Sequence, residues 1–269
     1  MFVSEAVPAG VFALLILLVP ETPRYLALNG QDEKALTVLS NINGYERAKE
    51  ILAEIKATAV EKTEKLFTYG FLVVFIGCML SVFQQIIGIN AVLYFAPRIF
   101  ESMGVSNNML FTVIMGVINI TFTLVAVFSV EKLGRKPLLI TGSLGMAIGA
   151  LGVAMSNVID LGILPVICIM VYSASFMFSW GPICWVYISE IFPNTIRSQA
   201  TAIAVAFQWI FNFIVSSTFV PMYTRSPFFA YALYGVVCIA AAIFVWKIVP
   251  ETKGKTLEDM TALWKNRKK

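Results

Sequence analysis

One four-residue phrase occurs twice, and it constrains the fold more than any other feature of this chain. Val19-Pro20-Glu21-Thr22 follows the first apolar stretch, and Val249-Pro250-Glu251-Thr252 follows the last. The apolar stretches lie at about 2–19, 67–96, 109–130, 138–156, 161–188, 201–222 and 228–249. A phrase repeated at the ends of hydrophobic segments is the mark of a duplicated membrane domain. On that reading the first copy closes a half of which one helix is present, and the second closes a complete half. The chain is then expected to start partway through a two-half protein.

Each stretch is near or above the roughly 20 residues needed to cross about 30 Å of hydrocarbon. An apolar content of 58% and a mean hydropathy of +0.80 exceed what a soluble domain of this length carries. Only helices and closed barrels satisfy the backbone in lipid, and barrel strands alternate in polarity where these runs do not. The expected fold class is an all-α integral membrane helix bundle of about seven transmembrane helices. Segment 2–19 lacks the basic leader and small-residue cleavage site of a signal peptide. Four parts are expected: 1–20, the last transmembrane helix of an N-terminal half; 21–66, a cytoplasmic helical segment; 67–249, a six-helix transmembrane domain; and 250–269, a cytoplasmic tail.

Charge placement predicts the orientation. If 21–66 is cytoplasmic and the spans alternate, 18 of the 20 Lys and Arg fall inside, leaving Arg98 and Arg225 outside. That split follows the positive-inside rule and puts the C-terminus in the cytoplasm. The basic tail (Lys265, Arg267, Lys268, Lys269) then reads as topology setting or attraction to anionic lipid; no nucleic-acid partner is implied. Met1 falls outside with nothing upstream to put it there, which a fragment or a split gene explains. In 21–66, Gln31 through Leu36 and Tyr45 through Lys65 have helical spacing, with Asn43-Gly44 as the break. Glu46–Lys49, Glu50–Glu54 and Glu61–Lys65 sit at i,i+3 or i,i+4, and these charges read as solvated faces.

The four cysteines (Cys78, Cys168, Cys184, Cys238) lie inside apolar segments without metal-ligand or disulfide spacing, and there is no histidine. Histidine acid–base chemistry and zinc sites are excluded; no metal, cofactor or enzymatic activity is expected. All 16 Asp and Glu fall at segment ends or in connections. Without a mid-membrane carboxylate, the chain carries no proton relay of its own.

Neutral polar residues behave differently. Gln84, Gln85 and Asn90 sit mid-segment, with Tyr94 beyond; Asn119 is central in the third stretch, and Gln208, Trp209 and Asn212 in the sixth. Primary amides are costly in hydrocarbon unless they face a wet cavity or each other. On a straight helix Gln208 and Asn212 are about 40° apart and share a face, whereas Gln85 and Asn90 are about 140° apart. A break near Ile87-Gly88-Ile89 would turn both toward one cavity, and Trp180-Gly181-Pro182 through Trp185 predicts a second break. Directional amides with flat indoles suit an uncharged polyhydroxylated ligand. The competing reading is that the amides only join helices. Glu131 and Arg135, in the 131–137 connection, and Glu190 and Arg197, bracketing the next one inside, could close a gate as ion pairs.

Six motifs in order closely resemble the sugar porter family of the major facilitator superfamily. They are Pro20-Glu21-Thr22-Pro23-Arg24; Gln84 through Asn90 with Tyr94; Glu131 through Pro137; Trp180-Gly181-Pro182 with Trp185; Ser189 through Pro193 with Arg197; and Pro250 through Gly254. Val117 through Thr123 and Ala206 through Trp209 look most like the family's bacterial D-xylose–proton symporters. The segment between Pro221 and Phe229 is shorter than in those carriers. The resemblance implies a major-facilitator bundle that moves a neutral monosaccharide, a xylose-like pentose or a hexose, across a bacterial inner membrane. It implies that Gln84, Gln85, Asn90, Asn119 and Trp185 contact the sugar, and that Tyr94, Gln208 and Trp209 line or gate the cavity. Glu131, Arg135, Glu190 and Arg197 would form the cytoplasmic gate. The first five helices of such a protein are absent, and with them the family's proton-coupling acid. A separately encoded N-terminal half, an inactive truncated remnant and a transporter-like sugar sensor therefore stand as alternatives.

Overall fold

The computed structural model describes residues 2–59, 64–95, 99–101, 108–156, 158–159, 163–255 and 257–267. Among these residues the regular structure is entirely helical, as a backbone in hydrocarbon requires. The chain divides into two compact units, 1–63 and 64–269. Glu61 of the expected Glu61–Lys65 pair, and Lys62, Arg98, Asp160, Lys268 and Lys269, lie outside the described residues.

The first unit opens with α1 (Phe2–Ile16). Its 15 residues span about 22 Å, short of a full crossing. The helix ends in a tightened turn, with Leu18 and Val19 bonded three residues back, because Pro20 disfavours helical geometry in the residue before it. Among the described residues six helices are long and apolar enough to cross a bilayer, and the expected seventh span holds a shorter apolar helix. Thr22 caps α2 (Pro23–Leu28), accepting from the Tyr25 N–H at 3.3 Å with Pro23 in the first helical position. Next come α3 (Asp32–Asn43) and α4 (Tyr45–Ala59), parted at Gly44 with φ 78°. Leu26, Ala35, Leu39 and Ala48 form their small core, and Lys56 reaches Asp32 at 2.6 Å. Lys49, expected opposite Glu46, instead lies 4.3 Å over the Tyr45 ring, and Arg47 pairs with Glu50.

The second unit holds the six spans: α5 (Phe71–Ile86) with α6 (Ile89–Tyr94), α7 (Asn108–Leu133), α8 (Arg135–Ser156), α9 (Leu164–Phe178) with α10 (Trp180–Ile191), α11 (Asn194–Arg225) and α12 (Pro227–Ile248). A terminal helix, α13 (Leu257–Arg267), docks through buried Met260 and Trp264, whose indole N–H donates to the Ile191 carbonyl at 2.9 Å. The helix expected at 201–222 runs further, from 194 to 225, because its polar first turns continue the helix beyond the apolar run that hydropathy detects.

α8 packs against α9 and α12, and α5 against α11. On the α5–α6 span 72% of the most apolar window is buried, against 11% on α7 and 22% on α11. Lipid tails are as apolar as leucine, so burial in a membrane protein follows from close packing rather than from exclusion of water. The α8–α9 seam shows what that packing needs. A Cβ on Gly149 would lie 2.7 Å from the Cys168 carbonyl oxygen and 2.9 Å from the Tyr172 backbone nitrogen, and one on Gly142 would overlap Ser179.

Both expected breaks are present. Gly88 adopts φ +86° between α5 and α6, a region that costs other residues roughly 1–2 kcal/mol. The second break falls at Ser179 (φ −135°, ψ −89°), just before the Trp180-Gly181-Pro182 motif. Proline at 182 removes the N–H that would bond residue 178 and crowds that carbonyl, so the helix fails upstream of the proline itself.

Gly149→Val is expected to separate α8 from α9, since the atoms it meets are backbone and cannot rotate away. A fall of several degrees in the unfolding temperature of the detergent-solubilised protein, or loss of its monodisperse size-exclusion peak, would register this.

Candidate functional site

The two breaks converge on one cavity of about 440 Å³. Its walls are Gln84 and Gln85 on α5, Asn90 and Tyr94 on α6, Thr123 on α7, Phe176 and Met177 on α9, Gly181, Pro182 and Trp185 on α10, and Gln208, Trp209 and Asn212 on α11. None of these residues carries a charge. Seven of the eight residues expected to contact the ligand or line its cavity therefore meet here.

The amides satisfy one another. The Gln85 carbonyl oxygen accepts from Asn90 Nδ2 at 2.6 Å and from Asn212 Nδ2 at 2.9 Å. Gln85 Nε2 donates to Gln84 Oε1 at 3.1 Å, and Gln208 Nε2 donates to the same oxygen. Gln84 Nε2 then donates to the Trp180 carbonyl at 3.2 Å. The row runs from α6 and α11 through α5 to the start of α10. Gln84, Gln85 and Gln208 are buried, and leaving such an amide unpaired costs about 1–3 kcal/mol. Among the described residues Gln208 Oε1 has no partner, so one acceptor on the wall is unspent.

Trp180 anchors the row from behind. It is fully buried, and its indole N–H donates to the Leu139 carbonyl at 3.1 Å and to Ser143 Oγ at 2.7 Å on α8. Trp185 on the same helix is half-exposed and turns to the cavity, as does the more exposed Trp209.

Asn119 departs from expectation, because it does not line this cavity. Its Oδ1 accepts from Ser173 Oγ at 2.6 Å, which draws the amide onto α9. Thr123, one turn along α7, takes its place on the wall. Asn212 belongs to the row although its place was signalled only by the face it shares with Gln208.

The Lys/Arg-rich end of the bundle holds a second cluster. Arg135 Nη2 donates to Glu131 at 2.8 Å and to Glu190 at 2.7 Å. The Arg135 side chain is 9% exposed, Glu190 28% and Glu131 73%. The Glu190 bond is therefore the better shielded, and the Glu131 contact is of the exposed kind worth ~0–1 kcal/mol. Glu190 also accepts from Thr252 Oγ1 at 2.6 Å. Arg197 does not share Glu190 with Arg135; its guanidinium donates to the Phe192 carbonyl at 3.2 and 3.3 Å. Arg135, through Glu131 and Glu190, thus joins α7, α8 and α10 within one bundle.

Glu251, from the repeated phrase, is the residue the sequence left without a role. Its carboxylate accepts the backbone N–H groups of Arg135 and Lys136 at 3.0 Å each, and those of Thr252 and Lys253 at 3.0 and 2.9 Å. It caps the start of α8, where unpaired N–H groups and the helix dipole favour an anion. Gly134 (φ +91°) lets it approach, since a Cβ there would come within 2.9 Å of Glu251 Oε2. The two partners lie more than a hundred residues apart in sequence, so no local pattern announces the contact.

The profile of a family described as "Sugar (and other) transporter" matches residues 1–264. The D-xylose-proton symporter of Escherichia coli K12 is 47% identical over 279 residues, covering 98% of this chain and 56% of the relative. The glucose facilitated diffusion protein of Zymomonas mobilis is 37% identical over 281 residues, covering 98% and 59%. A solved structure of the proton:xylose symporter XylE bound to 6-bromo-6-deoxy-D-glucose superposes with a TM-score of 0.84 at 46% identity, covering 98% of this chain and 58% of that one. The chain thus spans a little over half the length of these relatives and aligns to their C-terminal part.

Removing the cap tests the second cluster. Glu251→Ala is expected to cost about 1–2 kcal/mol of stability, lowering the unfolding temperature. Glu251→Gln should lose less, because an amide oxygen still accepts.

Proposed function

Because this chain belongs to the sugar (and other) transporter family, we propose that its amide-lined cavity is one wall of a site through which a neutral monosaccharide crosses the membrane by alternating access. The carrying observation is the row of five amides, from α5, α6 and α11, in a cavity lined by no charged residue. A sugar hydroxyl is both donor and acceptor, so it can replace an amide partner bond for bond. A phosphorylated or ionic ligand would need a countercharge that the wall lacks. The cavity volume lies within the range of small-molecule sites, and the chain is not an enzyme: its relatives and its fold are those of transporters.

In this reading Gln84, Gln85, Asn90, Gln208 and Asn212 exchange their mutual bonds for bonds to the sugar. Breaking one set while making the other keeps binding weak and reversible, as a carrier requires. Trp185 offers a flat apolar face to the ring, and Tyr94 and Trp209 close the rim. Asn119 supports the wall through Ser173. A pentose or hexose fits, and D-xylose is favoured by the 47% identical symporter.

The rest of the site comes from further chain, contiguous or separately encoded, matching the part of the relatives this chain does not cover. Proton coupling, named in the xylose relative, would draw its carboxylate from there, since no Asp or Glu lines this wall. The Lys/Arg-rich end, with the C-terminus, faces the cytoplasm of a bacterial inner membrane. There Arg135, with Glu131 and Glu190, holds α7, α8 and α10 together, and Arg197 ties the start of α11 to the Phe192 carbonyl, while the bundle rocks as a body.

Counterflow of labelled pentoses and hexoses in membranes of cells expressing the locus tests this. Gln84→Ala and Trp185→Ala are each expected to cut exchange at least about tenfold, the effect of losing roughly 1.4 kcal/mol of site interaction, at unchanged membrane level. Full exchange by both variants would remove the site assignment, and saturable binding without any exchange would replace the carrier with a sensor.

A further inference from the structure

We propose that Tyr172 is a positioning residue that pins the break between α5 and α6 open, and so keeps Asn90 turned into the cavity. The argument starts from the carbonyl the break leaves behind. Ile87 closes α5, and the bonding of α6 resumes one residue later, where the Gly88 carbonyl accepts from the Val92 N–H at 3.3 Å. Among the described residues no backbone donor reaches the Ile87 carbonyl. The Tyr172 hydroxyl, from α9, donates to it instead. In an apolar interior an unpaired carbonyl would favour rejoining the helix, since a continuous α5–α6 would bond Ile87 to the Ala91 N–H. The tyrosine removes that incentive.

The surroundings fit a fixed break. Tyr172 is 2% exposed. On the other side the Tyr234 ring packs against Gly88, where a Cβ would come within 2.6 Å of it. The device recurs in this bundle: buried Tyr187 donates to the Pro250 carbonyl at 2.6 Å, just beyond the end of α12. Serine and threonine hydroxyls in the spans, by contrast, mostly bond carbonyls of their own helix, as at Thr121, Thr123, Thr141 and Ser143. A tyrosine hydroxyl stands too far from its own backbone for that and serves a neighbour's broken end.

What the pin secures is the register of one amide. In a continuous helix Asn90 sits about 140° from Gln85; across the break it donates to Gln85 Oε1 at 2.6 Å. The functional consequence rests on the sugar-site reading of this cavity, but the geometry can be tested without it.

The test is the rate at which a membrane-impermeant thiol reagent labels Asn90→Cys, above the background of the four native cysteines, none of which lines the cavity. The protein is assayed in native membranes with and without Tyr172→Phe, which removes one oxygen and keeps the ring. Labelling at position 90 is expected to fall about fivefold, the consequence of one orphaned carbonyl. Labelling of Thr123→Cys, which lines the cavity from α7, should stay within about twofold. Tyr187→Phe should leave both rates in place. A change of less than about twofold at position 90, or a parallel fall at position 123, overturns the proposal. Sugar exchange by the unmodified protein is scored separately: its absence would sink the transport reading and leave the labelling result standing.

Discussion

The bilayer interior supplies no water to a backbone, so every N–H and C=O in a span must find a partner inside the protein. A helix meets that demand automatically. The demand becomes a design problem only where a helix is interrupted, and this bundle interrupts two. Side chains gather at the breaks: Tyr172, from a neighbouring helix, takes the Ile87 carbonyl, Gln84 donates to the Trp180 carbonyl where α10 starts, and Ser179 Oγ bonds the Ser175 carbonyl of its own helix end at 2.6 Å. The breaks and the polar residues are therefore one feature. Glutamines and asparagines that would be a liability in hydrocarbon bond one another where the breaks bring them together.

That coupling explains why the cavity lies where it does. Gln84 faces the α9–α10 break, and Gln85 faces the residue released by the α5–α6 break. Trp180 passes the restraint on to α8 through Ser143 and Leu139. Close approach of α8 and α9 across Gly142 and Gly149 sets the distance at which those bonds form. The same packing leaves α7 and α11 with most of their apolar surface uncovered by this unit.

At the other end of the bundle one carboxylate holds a corner. Glu251 bonds the first N–H groups of α8 and its own next two residues, so the chain leaving α12 is fixed to the helix it has just packed against. Thr252 extends the contact to Glu190, and Glu190 to Arg135. The repeated phrase is thus a helix cap with its strap. Its first copy, at Glu21, lies in a unit where Thr22 serves α2 in a similar way, on a smaller scale.

The sequence by itself determined the helical class, six of the long spans and both interruptions, though it counted the shorter first helix as a seventh span. Length and polarity in lipid admit a single kind of secondary structure, and glycine and proline act on their own neighbours. It also marked the amides, since polar groups at that depth must serve something. What it left open were the pairings: Asn119 turned to Ser173 and away from the cavity, Asn212 joined the row, Arg197 settled on Phe192, and Glu251 found α8 from more than a hundred residues away. Local periodicity fixes which face of a helix a residue occupies. Which helix that face meets, and at what height, is decided only by how the spans pack together, and that is information no single segment contains.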